Sequence, residues 1–158
     1  MQVPDIIIAV DGYSSTGKSS FAKLVAKEFG FTYLDSGALY RAVTLYSLEK
    51  GLIDKDNNID LEGLQKALES DIAISYEQND ETGLFDICLN GLNVEKRIRM
   101  LDVSSSVSPI ATVPAVRNFV DEQLHRYGSA GCVMDGRDIG VTVFPDAEVK
   151  IFMTADPI

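Results

Sequence analysis

A β-branched run, Ile6-Ile7-Ile8-Ala9-Val10, leads across a single residue into Gly12-Tyr13-Ser14-Ser15-Thr16-Gly17-Lys18-Ser19. The octapeptide fits G-x-x-x-x-G-K-[ST], the pattern of a loop whose backbone N–H groups cradle phosphate. Glycines at its two ends let the chain curl so that successive N–H groups point inward. Lys18 carries a mobile charge toward the β- and γ-phosphates of a nucleotide, and the Ser19 hydroxyl is set to hold Mg²⁺. A Gly/Ser-rich connecting loop is the bland alternative. It would not need its present surroundings: the run before it reads as a buried parallel strand, and Phe21, Leu24, Val25 and Phe29 follow at helical spacing up to Gly30, a helix stop. Strand, glycine loop and helix in that order commit the chain to a parallel α/β sheet.

The remaining segments extend that framework. Phe31-Thr32-Tyr33-Leu34 predicts a second strand, and Asp35-Ser36-Gly37 opens a helix striped by Leu39, Ala42, Val43 and Leu48. Asp60 is placed to cap a helix carrying Leu61, Leu64 and Leu68. Beyond it the period changes. Ile72, Ile74 and Tyr76 alternate with polar neighbours, Asn79 to Gly83 is turn chemistry, Leu84 to Leu89 is a returning strand, and Asn90-Gly91 is a second tight turn. This predicts a small antiparallel excursion, residues 60–99, within one domain spanning 1–158. A Ser-rich run, Ser104 to Ser108, carries no assigned element. Pro114 suits the first turn of a helix whose buried stripe is Val116, Phe119, Val120, Leu124 and Tyr127. Cys132-Val133-Met134 and Val149 to Met153 are the last strands. The fold class is α/β: a P-loop, doubly wound parallel sheet with helices on both faces and a small antiparallel insert.

Composition narrows the function. The 158 residues carry a formal charge of −10, which argues against nucleic acid as a partner because that needs a basic face. No apolar run approaches the roughly 20 residues of a membrane span, and the start has no basic signal region, so a cytoplasmic protein is expected. Cys88 and Cys132 lack metal-ligand spacing and read as reduced core residues. His125, the only histidine, reads as a solvated side chain. With six arginines in an acidic chain, any that converge on a site of parallel-sheet ligands become informative.

Ligands of open α/β sheets bind at the carboxyl ends of the strands. Three constellations should fall there. At the start of the second helix, Ser36 and Arg41 are placed to receive an anion; Ser36 as a plain N-cap and Arg41 as a solvated cation are the alternatives. Asp135-Gly136-Arg137-Asp138 follows the strand Cys132 to Met134, and on turn chemistry alone it is a tight turn with a local Asp–Arg pair. Arg117 sits early in its helix, where the macrodipole disfavours a cation.

The P-loop, Leu34-Asp35-Ser36-Gly37-Ala38-Leu39-Tyr40-Arg41, Ile98-Arg99, Val107-Ser108, Val116-Arg117, Asp135-Gly136-Arg137-Asp138-Ile139-Gly140, Val143 to Ala147 and Lys150-Ile151-Phe152 together resemble the bacterial cytidylate (CMP) kinases. The resemblance runs in order over essentially the whole chain. It implies transfer of the ATP γ-phosphoryl group to CMP or dCMP, with Mg²⁺ as the metal. It implies that Gly12, Tyr13, Ser14, Ser15, Thr16, Gly17, Lys18, Ser19 and Ser20 bind ATP. CMP would be held by Ser36, Gly37, Tyr40, Arg41, Ser108, Arg117, Arg137 and Asp138. Lys18, Arg41 and Arg137 would be catalytic, with Ser19 on the metal; Asp135, at the end of its strand, is a further candidate for the metal, acting through water. The 60–99 excursion would be the monophosphate-binding insert.

The family normally continues into a mobile lid and a final strand and helix, which are expected to be absent here, and Gln123-Leu124 stands where Gln-Arg is expected. A weakly active or inactive chain, and association through an exposed Val149 to Met153 edge of an otherwise monomeric protein, follow as expectations. Other readings remain open: a P-loop kinase for AMP, UMP or shikimate, or a nucleotide-binding fragment without catalysis.

Overall fold

The computed structural model describes residues 6–12, 17–128, 131–136 and 139–153. The chain divides into two compact units: Met1–Gly37, Asn79–Phe85 and Leu124–Ile158 form one, Ala38–Gln78 and Asp86–Gln123 the other.

The first unit is built on four parallel strands, β1 (Ile7–Gly12), β2 (Thr32–Asp35), β6 (Cys132–Gly136) and β7 (Val149–Met153), in the order β2-β6-β1-β7. Ile8 pairs with Val133 on one side and Val149 on the other, and Tyr33 pairs with Val133. The β-branched run at the start of the chain is thus an interior strand, buried on both faces, as its unbroken hydrophobicity predicts. Val10 and Val133 are fully buried; each contributes about 2 kcal/mol by the usual area relation.

Helix α1 (Lys18–Phe29) packs on β6, β1 and β2 through only half of the predicted stripe, Phe21 and Val25. Leu24 and Phe29 are 65% and 49% exposed, while Ala22 and Ala26 are buried against Ile8, Val10, Tyr33 and Val133, flanked by Phe21 and Val25. Two short side chains let the helix lie close to the sheet, and the larger ones are pushed to its margins. The helix stops at Gly30, which is left-handed at φ 69°, with the Phe31 N–H donating to the Ala26 carbonyl at 2.9 Å.

The second unit contains most of α2 (Ser36–Glu49), then α3 (Leu61–Ser70) and the stem of a three-stranded antiparallel sheet. In α2 residues 42–47 are buried without interruption, so Thr44 and Ser47 lie inside. Their hydroxyls donate to the carbonyls of Tyr40 and Val43, both at 2.8 Å, which satisfies them within the helix. Asp60 caps α3 as predicted, accepting from the Gly63 N–H at 3.0 Å, although Leu61 is exposed and the buried face is Leu64 and Ala67.

The predicted antiparallel excursion is present as β3 (Ile74–Asn79), β4 (Leu84–Leu89) and β5 (Leu92–Asn93). Asn90 and Gly91 both take positive φ, 50° and 81°, the tight turn their pairing predicts.

The Ser-rich run, to which the sequence assigned no element, lies in α4 (Leu101–Ala111), preceded by a short 3₁₀ turn over Arg97–Arg99. Val103, Ser106 and Ile110 make its buried stripe, and the Ser105 hydroxyl donates to the Leu101 carbonyl four residues back at 2.8 Å. Helix α5 (Pro114–Tyr127) begins at its proline and buries Val116, Phe119, Val120 and Leu124. The class is α/β, with a parallel sheet and a small antiparallel one. No helix among the described residues is long and apolar enough to cross a membrane.

Candidate functional site

The carboxyl ends of β1, β2 and β6 meet at one side chain. Asp135, 2% exposed, ends the buried strand β6 beside Val10 of β1 and Asp35 of β2. Its carboxylate takes three donors. Lys18 Nζ lies 3.2 Å from Oδ1, while the Ser19 hydroxyl and the Tyr33 hydroxyl each donate to Oδ2 at 2.8 Å.

Lys18 is fixed by more than charge. Its ammonium also donates to the carbonyls of Gly12 at 3.1 Å and Gly136 at 2.9 Å, so its three protons face three acceptors. A short stretch of chain accounts for this placement. Gly12 closes β1 so near β7 that a Cβ there would stand 2.6 Å from the Met153 carbonyl oxygen. Gly17, left-handed at φ 81°, turns the chain into α1 and sets Lys18 and Ser19 in its first turn.

The start of α2 adds a third polar element. The Gly37 N–H donates to Asp35 Oδ1 at 2.9 Å, while the Ser36 hydroxyl donates to the Asp135 carbonyl at 3.1 Å. The carboxylate at this helix start is therefore that of Asp35, and Ser36 ties β6 to the helix instead of acting as the plain cap considered above.

A second buried carboxylate lies on the far side of the Asp135 segment. Asp11, 6% exposed, accepts from the N–H groups of Ile139 at 2.7 Å and Gly140 at 2.8 Å. It holds the start of a π-type turn, Ile139–Val143, closed by the Phe144 N–H on the Ile139 carbonyl at 2.7 Å.

Neither Asp11 nor Tyr33 was singled out in the sequence, though a carboxylate ending an otherwise apolar buried strand is a signal for Asp11. Tyr33 offers none: a tyrosine in a short strand is ordinary. Burial raises the Tyr33 hydroxyl well above its usual range, helped by the charges of Asp35 and Asp135, so it remains a protonated donor.

The structure thus gathers Gly12, Lys18, Ser19, Ser36 and Asp135 in one unit, with Gly17 and Gly37 beside them; Ser20 is exposed on α1. Tyr13, Ser14, Ser15, Thr16, Arg137 and Asp138 lie outside the described residues. In the other unit Arg41 sits in the second turn of α2 and donates to the Ile98 carbonyl at 3.3 Å and the Ser104 hydroxyl at 2.7 Å. Tyr40 is half-buried beside it in sequence, and Ser108 on α4 and Arg117 in the first turn of α5 are exposed. Cys88 and Cys132 are buried free thiols, as expected; burial pushes Cys132 up to about 12.

The donor set around Asp135 fits Mg²⁺. Ser19 and Asp135 supply hard oxygen atoms, and Mg²⁺ is usually held by one or two carboxylates plus substrate phosphates and water. Among the described residues no group of three or more His, Cys, Asp or Glu side chains is arranged as a self-sufficient metal cage.

The family model described as cytidylate kinase matches residues 8–158. The cytidylate kinase of Bacteroides thetaiotaomicron is 56% identical over 153 residues, 96% of this chain and 66% of its own length. That of Porphyromonas gingivalis is also 56% identical over 153 residues, covering 96% and 65%. That of Bacteroides fragilis is 55% identical over 151 residues, covering 95% and 65%. The solved structure of TT1252 from Thermus thermophilus superposes with a TM-score of 0.43 at 18% identity, over 98% of this chain and 68% of that one. The chain spans about two thirds of the length of the curated relatives it matches. With its P-loop lysine and serine joined to a buried aspartate and its sequence matched from the first strand onward, the chain belongs to the cytidylate kinase family.

Proposed function

We propose that this chain carries the nucleotide-binding core of an enzyme that transfers the ATP γ-phosphoryl group to CMP or dCMP, giving CDP or dCDP and ADP. The observation that carries the reading is the junction of Lys18 and Ser19 with the buried Asp135 at the ends of β1 and β6. Family membership supplies the acceptor class.

In this mechanism the acceptor is a phosphate already anionic at neutral pH, so no general base is needed and positioning with charge neutralisation does the work. Lys18 neutralises the β- and γ-phosphates, and the N–H groups of the Gly12–Ser20 segment orient them. Ser19 and Asp135 would hold Mg²⁺, which supplies charge stabilisation to the transferring group when bound. Arg41 and Arg137 hold the CMP phosphate in planar, bidentate fashion. Ser36, Arg117 and Asp138 face the cytosine and Ser108 the sugar hydroxyls, with Gly37 and Tyr40 also in the CMP-binding set. Cytosine presents an exocyclic amine to the Asp138 carboxylate and ring acceptors to Arg117. Uracil would put a carbonyl against that carboxylate, and sites of this type reject such a mismatch by roughly 10⁴. The setting is soluble pyrimidine nucleotide metabolism in the cytoplasm. The domain reading of one P-loop core with an insert at 60–99 belongs to the same proposal.

The test is a coupled ADP-release assay with ATP and a panel of CMP, dCMP, UMP, AMP and shikimate, alongside calorimetry with CMP and ATP. CMP and dCMP should be preferred, Lys18→Ala should lower turnover by orders of magnitude while leaving the protein folded, and Asp138→Ala should narrow the gap between CMP and UMP. Unchanged relative kcat/KM values in Asp138→Ala would sink the base assignment. Nucleotide binding without turnover would mark a non-catalytic chain, and equal use of every acceptor would reject the assignment of substrate.

A further inference from the structure

Tyr33 is the residue of this cluster that neither the motif nor the proposed chemistry uses. It reaches from β2 to Asp135, 102 residues away in sequence, and its hydroxyl shares Oδ2 with Ser19. The ring is held on both sides. It is 7% exposed within the core of Ile8, Val10, Ala22, Ala26 and Val133, and the Lys23 ammonium lies 5.7 Å from its centroid.

We propose that Tyr33 is a positioning residue for the metal–nucleotide site, fixing the Asp135 carboxylate so that the Ser19 proton stays committed to Oδ2 and the Ser19 oxygen keeps its lone pairs for a divalent cation. This rests on the reading of Gly12 to Ser19 as an ATP site. The geometry supports it in three steps. A hydroxyl has one proton and two acceptor lone pairs, so a Ser19 hydroxyl that donates to Asp135 can still offer its oxygen to a cation. A carboxylate held only by Lys18 and Ser19 retains rotation about its Cβ–Cγ bond, which lets Lys18 draw either oxygen and release the Ser19 proton. A third donor on a rigid strand, aimed at the oxygen Ser19 uses, removes that freedom.

A partner hydrogen-bonded directly to a metal ligand alters metal affinity by about 10-fold or more when lost; Tyr33 acts through Asp135, one hydrogen bond further out, so about 10-fold is the upper limit of its effect. The expected signature of Tyr33→Phe is therefore selective. ATP affinity measured with EDTA is unchanged, while the tightening of ATP that excess Mg²⁺ produces shrinks severalfold, up to about tenfold. A tyrosine that only fills the core would weaken both conditions alike.

The experiment is isothermal calorimetry of ATP, with excess Mg²⁺ and with EDTA, on the 158-residue chain as wild type, Tyr33→Phe, Ser19→Ala and the double variant. The proposal holds if Tyr33→Phe reduces the Mg²⁺-dependent gain alone and has no further effect in the Ser19→Ala background, since both act through one oxygen. It is overturned by an undiminished gain, by equal weakening in both conditions, or by additive effects in the double variant. Tyr33→Leu, which keeps apolar bulk on β2 and also lacks the hydroxyl, serves if the phenylalanine variant does not fold. Failure of both to fold by circular dichroism would assign the residue to the core alone. A wild type that gives no ATP heat in either condition would reject the nucleotide reading itself, a result distinct from a wild type with a Mg²⁺ gain that Tyr33→Phe retains.

Discussion

The two compact units satisfy their polar side chains in different ways. Around Asp135 the bonds join residues far apart in the chain: Lys18 to Gly136, Ser19 to Asp135 and Asp11 to Ile139 are separated by 118, 116 and 128 positions. In the other unit most are local and exposed. Asp54 accepts from the N–H groups of Asp56 and Asn58, Asp60 from Gly63, and Arg97 donates to Asp102. Arg41 reaches much further, to Ser104 across 63 positions. A local bond closes as soon as a turn forms and can be exchanged for water at little cost. A buried long-range bond exists only when the sheet is assembled, and its loss strands a partner that water cannot reach. The difference predicts a gradient of mutational cost running from the first unit to the second.

The steep end is Asp11. Its carboxylate satisfies two buried backbone N–H groups, and an unsatisfied buried donor costs about 1–3 kcal/mol. Asp11→Ala should lower unfolding free energy by roughly 3 kcal/mol in urea, with the slope unchanged. Asp11→Asn, whose carboxamide keeps one acceptor oxygen, should fall between. An alanine variant within about 0.5 kcal/mol of wild type, the range of ordinary surface substitutions, would erase the contrast between the units.

Asp60 tests the middle of the gradient. Its bond to the Gly63 N–H is exposed and belongs to one helix. Asp60→Ala should cost about 1 kcal/mol, the usual worth of an N-cap, and Asp60→Asn should recover most of it. A loss as large as that of Asp11→Ala would show that α3 is coupled to more than its own first turn.

The same contrast decides what could be read from the sequence. Local chemistry was legible: the Asp60 cap, Pro114 at the start of α5 and the Asn90-Gly91 turn all stand where they were expected. So was the strand, glycine and helix order around Lys18, because its geometry is contained in about twenty residues. The face of α1 was only half legible: Phe21 and Val25 pack against the core, while Leu24 and Phe29 are exposed. Helical spacing selects the large apolar residues, but the sheet selects the small ones that permit close approach. Helix α4 was hidden for another reason. Serine is a middling and proline a poor helix former, so Ser104 to Ser108 gives no helical signal until Val103, Ser106 and Ile110 find a core. In the candidate site, Lys18, Ser19, Ser36 and Asp135 were legible as residue types, and their mutual bonds were not. Tyr33 was invisible because its only distinguishing property is a partner on another strand.

The shallow end of the gradient is the ion pair of Arg97 and Asp102. It is bidentate, at 2.8 and 2.6 Å, and Asp102 also accepts from the Val103 N–H in the first turn of α4, where a negative charge complements the helix dipole. The guanidinium hydrogen bonds hold the Asp102 carboxyl down from 3.8 to about 2. A carboxyl whose folded value is depressed contributes stability that is complete above its unfolded value and vanishes as pH falls through the folded one. Both side chains are exposed, 39% and 50%, so solvent and salt screen the pair and its contribution is small. Asp102→Asn should therefore melt slightly below wild type at neutral pH, and the two curves should converge as pH falls from 3.8 toward about 2. The gap should also narrow in high salt. A gap that persists at the acid end would place its cause in helix packing, because a protonated Asp102 and an asparagine carry the same charge.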